Sequence, residues 1–236
     1  MSPTVPEFKP SERGLHFPNS FDPGTPALKG IPATIRLPWF RGRVAINDAS
    51  KGLCGGMALT VIDYFEVNRP PPGQTDPPQP DTPLFDHLVK RLIDSWDLPE
   101  GALRYWLLMN PLRPDRDRWF SPLCSRARIM LQEEWPKVRQ DLDGGHLSPL
   151  GLIRTKSWSP ARLSVNHQVV AYGYDLAGRN LTLHLYDPNE PNNDQVAMSL
   201  TLGDPAEPIK VTYSPSDPLT HVFCFFRVAY SPAQPP

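Results

Sequence analysis

Three residue types that can do acyl chemistry occur along this chain in a suggestive order. Cys54 stands alone in Lys51-Gly-Leu-Cys-Gly-Gly-Met57, where a helical pattern begins. The unpaired amides of a helix start carry partial positive charge, which favours a thiolate, and the thiolate is the competent nucleophile. His167 opens the strand-like run Asn166-His-Gln-Val-Val-Ala-Tyr-Gly-Tyr-Asp175. A strand start at the end of a sheet can project an imidazole into a cleft. Asp187 lies where Leu181-Thr-Leu-His-Leu-Tyr-Asp-Pro-Asn189 gives way to a turn. A carboxylate there can accept from the far nitrogen of His167, fix its tautomer and stabilise the imidazolium. Each residue also has a plainer reading: a small buried thiol, a hydrogen-bonded strand histidine, and an Asx turn. Taken together they describe a nucleophile, a base and an acid that orients the base.

The elements that must hold these groups follow from periodicity. Met57, Ala58, Val61, Ile62 and Phe65 recur at helical spacing from Cys54 onward. Gly55-Gly56 are poor helix formers, and they make sense where another backbone comes close. Seven prolines between 69 and 83 mark a stiff surface loop. Helices are expected over Pro83–Trp96 and Glu100–Met109, and from Ser121-Pro122 through Glu134. The last should break or kink at Trp135-Pro136 and resume to Leu142. The pattern then changes to period two over Leu150–Arg154, His167–Tyr174, Leu181–Tyr186, Ala197–Leu202 and Val222–Tyr230, with a hairpin loop at 175–180. Helices first and strands last predict an α+β fold. Residues 1–30 read as an extended arm that Leu15, Phe17 and Phe21 could pin to the body. A single domain is expected over 31–236, with a helical lobe at about 47–145 and a β lobe at about 146–230. A short extended piece is expected at Ala33–Leu37. Cys124 and Cys224 read as core residues, and His184 as half exposed on its strand.

Composition narrows the functional classes. The 236 residues include 24 basic and 25 acidic side chains, so the formal net charge is -1. A nucleic-acid partner is not expected without a basic excess. No apolar stretch approaches the roughly 18 residues of a membrane span, so no membrane partner is expected. The first residues lack the basic-then-apolar order of a signal peptide. Three cysteines without a CxxC pair make neither a structural metal site nor a disulfide framework. Free thiols suit a reducing compartment, so a cytoplasmic location is expected, or export without a standard signal peptide.

The order Cys54, His167, Asp187, on a helix start, a strand start and the following strand, resembles the papain-like cysteine peptidase superfamily. The likeness is to its divergent bacterial branches, through Asn166-His-Gln-Val and Tyr186-Asp-Pro-Asn. It spans about residues 47–230 in layout and about 25 residues in motif. The resemblance implies a helical N-terminal lobe carrying the Cys helix, packed against a C-terminal antiparallel β-sheet lobe. It implies Cys54 as nucleophile, His167 as general base and Asp187 as the residue that orients it, where papain itself uses Asn. Papain places an oxyanion-donating Gln six residues before its nucleophile. Here that position is Asp48, preceded by Asn47, so either Asn47 supplies the amide or backbone N–H groups near Cys54 act alone. The implied activity is hydrolysis of a peptide or amide bond in a peptide or protein substrate, with no metal and no cofactor. The same trio also serves acyl transfer to an amine, and the same fold can serve as a catalytically silent binding module.

Overall fold

A side-chain carbon at Gly56 would run into the Leu88 carbonyl oxygen, and one at Gly55 into Ser95 Oγ. The two glycines therefore let helix α2 (Cys54–Glu66) lie directly on helix α3 (Pro83–Ser95). The computed structural model describes residues 4–22, 34–36, 43–45, 53–97, 99–215 and 221–236. Helix α3 starts where expected, with Pro83 in its first turn and Thr82 Oγ1 accepting from the Phe85 N–H at 3.4 Å. The far end of α2 is pinned through its buried Asp63. That carboxylate meets Arg91 Nε at 2.8 Å and His87 Nε2 at 3.0 Å, both from α3. It also accepts from Tyr230 Oη at 3.0 Å and the Ala233 N–H at 3.1 Å. Helix, helix and C-terminal segment thus share one buried charge.

Helix α4 covers Glu100–Met109. The next helix differs from expectation at both ends of its first half. It begins at Arg126, four residues later than Pro122, because Ser125 Oγ caps it by accepting from the Arg128 N–H at 3.0 Å. Ser121 Oγ instead accepts from the Leu123 N–H in a local turn at 3.3 Å. Cys124 is consequently exposed and not in the core. The chain then runs through α5 (Arg126–Arg128), a π-helical turn (Ile129–Glu134) and α6 (Trp135–Asp143). Pro136 explains the widened turn. Its ring would clash with the carbonyl four residues back and it has no N–H to give, so the helix opens a π turn instead of breaking.

Six antiparallel strands form the main sheet: β3 (Ser148–Ile153), β4 (His167–Ala177), β5 (Asn180–Tyr186), β6 (Ala197–Thr201), β7 (Thr212–Ser214) and β8 (Cys224–Arg227). Their spatial order is β7-β6-β5-β4-β3-β8. A separate antiparallel pair joins β1 (Thr34–Arg36) to β2 (Arg43–Ala45). The β4–β5 turn is shorter than the loop expected at 175–180. Its two residues are Gly178 and Arg179, and Gly178 takes φ +62°, which its missing Cβ permits. The short strand β7 was not anticipated. The architecture is α+β, with an antiparallel six-stranded sheet.

The segment expected as an arm enters the body over residues 4–22. Thr4 bridges to Gly173, and the Val5 N–H donates to the Tyr172 carbonyl at 2.7 Å, adding backbone pairing beside β4. After the short helix α1 (Pro10–Arg13), Leu15, Phe17 and Phe21 are buried, as are Val5 and Phe8 before it. Phe8 packs between Phe65 of α2 and Tyr172 of β4, with ring centroids 5.5 and 5.4 Å away. The first eight residues of β4 are all buried, so both faces of this central strand are covered. Among the described residues no helix is long and apolar enough to cross a membrane.

Candidate active site

The N-terminal residue of α2 is Cys54, so its sulfur sits where the helix leaves amides unpaired. Leu53 precedes it without a side-chain cap. The missing cap arrives from elsewhere: Asn19 Oδ1 accepts the Leu53 N–H at 2.6 Å. Cys54 is half-buried as a residue, and its buried thiol is a hydrogen-bond partner of the His167 ring and of the Gln168 backbone N–H.

His167 is the first residue of β4, paired across from Leu152 of β3. Its Nε2 faces Asp187 Oδ1 at 2.6 Å, and both side chains are buried. That contact leaves Nδ1 for the sulfur, so one ring spans acid and thiol. Asp187 lies immediately after β5, and each of its oxygens is occupied. Oδ1 also accepts the Asn189 N–H at 2.8 Å, closing an Asx turn over Asp187-Pro-Asn189. Oδ2 accepts from Tyr213 Oη at 2.5 Å. Asp187 therefore closes a turn and faces the His167 ring at once.

Charge organises the trio. Burial opposes ionisation of the Cys54 thiol, but the hydrogen bond and charge of His167, with the Gln168 N–H, outweigh it and hold the thiol below its ordinary value. Burial likewise opposes a charged His167 ring, and Asp187 together with the Cys54 thiolate raises it well above the usual imidazole range. Asp187 is itself buried, yet His167, Tyr213 and the Asn189 N–H hold its carboxyl below the usual value. The three shifts favour one state: thiolate, imidazolium and carboxylate in a row. Cys224, buried in the sheet, is the contrast, since burial pushes its thiol up to about 12.

A buried polar group backs this row. Gln168 Nε2 donates to Ser95 Oγ at 3.2 Å, and Ser95 Oγ donates to the Leu92 carbonyl at 2.7 Å. Tyr105 Oη lies against the same Gln168 and close enough to Cys54 to feel its charge. The remaining five histidines lie elsewhere: His87 on Asp63, His184 on Asp175 at 2.8 Å, His16 on Asn192, His146 near Glu66, and His221 edge-on to the Phe223 ring. Among the described residues no cluster of three or more His, Cys, Asp or Glu is arranged to hold a metal ion.

Thus Cys54, His167 and Asp187, each singled out by its sequence setting, are brought to one place. The oxyanion candidate Asn47 and the neighbouring Asp48 lie outside the described residues. Tyr213 and Asn19 were missed. Tyr213 had a signal in the alternation Ile209-Lys-Val-Thr-Tyr213, which is that of a short strand. Asn19 had none, since its partners are 34 and 170 residues away. No model of a known protein family matches the chain, and no curated protein or solved structure matches it.

Proposed function

We propose that this chain is a cysteine-nucleophile hydrolase of peptide or amide bonds in a peptide or protein substrate, working with a papain-like fold and mechanism. One observation carries the reading. A helix-start thiol, a strand-start imidazole and a turn carboxylate form one hydrogen-bonded row. Its electrostatics favour the charge-separated thiolate–imidazolium form.

Cys54 Sγ attacks the carbonyl carbon, and the carbonyl π electrons move onto its oxygen. The Cys54 backbone N–H, at the positive end of α2, faces that developing charge. The His167 imidazolium gives its proton to the leaving amine as the carbon–nitrogen bond breaks, and a thioester remains. Neutral His167 then takes a proton from water, whose oxygen attacks the thioester. Cys54 departs as thiolate, and the imidazolium is restored. Asp187 keeps Nδ1 aimed at the sulfur throughout. These steps use only groups of this chain and water.

The test is a mixed peptide library incubated with wild-type protein and with Cys54→Ala, with products read by mass spectrometry. Wild type should cleave, and Cys54→Ala should lose at least about 10³-fold in rate. Cleavage retained by a folded Cys54→Ala protein overturns the proposal. Products carrying an added amine, when one is supplied, would reassign the same thioester to acyl transfer. Absence of any turnover, with the thiol ordinary in reactivity, would leave a binding module.

A further inference from the structure

We propose that Asn19 is a positioning residue that locks the Cys54 helix to the turn presenting Asp187. The inference rests on reading Cys54, His167 and Asp187 as the reacting row. Asn19 reaches both sides of that row. Its Oδ1 accepts the Leu53 N–H at 2.6 Å, one residue before the nucleophile. Its Nδ2 donates to Asn189 Oδ1 at 3.2 Å, and its own backbone N–H donates to the Pro188 carbonyl at 2.9 Å. Asn189 in turn donates its backbone N–H to Asp187 Oδ1, and its Nδ2 lies 3.4 Å from His167 Nε2. A single side chain thus bridges helix and turn, which are otherwise 134 residues apart (Leu53 to Asp187).

The residue type fits the job. Leu53 is buried, and its N–H would be an orphan donor without an outside acceptor. An aspartate could accept there but could not donate to Asn189. A glutamine is one methylene too long once the backbone is fixed on Pro188. The approach to Asn19 is also held. Ser11 Oγ donates to Asp194 Oδ2 at 2.7 Å, and the Ser11 N–H donates to Asp194 Oδ1 at 2.8 Å. His16 contacts Asn192 at 2.5 Å. The segment is therefore stitched along the whole 188–194 turn, and Asn19 is the point where the stitching crosses to the nucleophile.

Reaction rates respond steeply to sub-ångström placement of reacting groups. The readout is the rate of Cys54 alkylation by iodoacetamide against pH, followed on the Cys54 peptide by mass spectrometry, in the full-length chain. Asn19→Ala should raise the apparent thiol pKa by about one unit, which slows alkylation below both values about tenfold. Asn189→Ala should act in the same direction. The double variant should be little worse than the stronger single one, because both break one connection. Ser11→Ala removes a stitch remote from the sulfur and should leave the profile unchanged. If Asn19→Ala does not fold, Asn19→Ser, which keeps the backbone bond to Pro188 but is too short to reach Leu53 and Asn189, should give the same shift.

A wild-type thiol with an ordinary pKa defeats the reading of the reacting row itself. A lowered wild-type pKa left unmoved by Asn19→Ala or Asn19→Ser defeats only the positioning role. Multiplying effects in the double variant, or an equal shift from Ser11→Ala, also overturn it.

Discussion

Tyr213 donates its hydroxyl to the one Asp187 oxygen that His167 does not use, at 2.5 Å. The phenol comes from β7, the edge strand of the sheet, and it completes the carboxylate's hydrogen bonds at a buried position. Tyr213→Phe should leave that oxygen unpaired, at a cost of about 1–3 kcal/mol. The sign with pH follows from the depressed carboxyl of Asp187. Its stabilisation is complete above the unfolded carboxylate value of about 3.9, and it is lost as pH falls through the lower folded value. Without the phenol the folded value rises, so acid unfolding followed by circular dichroism should start at higher pH. An unchanged acid midpoint would show that the Tyr213 contact contributes nothing.

On the proposed reading, a thiolate–imidazolium pair makes Cys54 reactive where ordinary thiols are not. Alkylation at Cys54 should persist below pH 7 in wild type. In His167→Ala it should shift up by about one unit or more, because burial remains while the partner charge is gone. In the same native sample Cys224 should stay unmodified, and exposed Cys124 should be labelled. Equal pH profiles for wild type and His167→Ala would sever the two residues.

Asp187→Asn keeps the shape of the turn but removes the charge that stabilises the imidazolium. Turnover should fall by about 10²-fold or more, chiefly in kcat. The acid limb of alkylation should move to higher pH, since His167 would hold its proton less firmly. Full activity in Asp187→Asn would reduce the acid to a turn residue.

Gly56→Ala places a methyl against the Leu88 carbonyl oxygen, which is backbone and cannot step aside. Separating α2 from α3 should cost about 1–3 kcal/mol, read as a lower Tm or denaturant midpoint. A Tm equal to wild type would mean that α2 and α3 do not meet backbone to backbone at Gly56.

Asp63→Asn tests the other end of α2. Its removal leaves Arg91, which is almost fully buried, without its main counter-charge. The expected loss is about 3–5 kcal/mol in chemical denaturation. A loss under 1 kcal/mol would show that Ser231 and Asp94, the other Arg91 partners, suffice.

Cys54, His167 and Asp187 could be found in the sequence because each sits at an element boundary that local pattern reveals: a glycine-rich helix start, the first residue of an apolar strand, and an Asp-Pro-Asn turn. The long strands around them were visible for the same reason. What escaped was set by contacts distant in sequence. Ser121-Pro122 carries a helix-start signature, yet Ser125 takes the cap, and Arg126 anchors the preceding loop through the Leu108, Asn110 and Arg113 carbonyls. Strand β7 has three residues, and the alternation Ile209-Lys-Val-Thr-Tyr213 that signals it is short and lies among prolines and glycine. Asn19 sits in a Pro-Asn-Ser stretch that reads as loop, and its meaning lies in partners the local pattern does not contain.

The burial of Val5, Phe8, Leu15 and Phe17 makes the first described segment part of the body. Here residues 4–22 are masonry: cutting after Asp22 would expose aromatic rings, unzip an added β bridge and release Leu53. Trimming within this stretch should therefore destabilise the fold around Leu53.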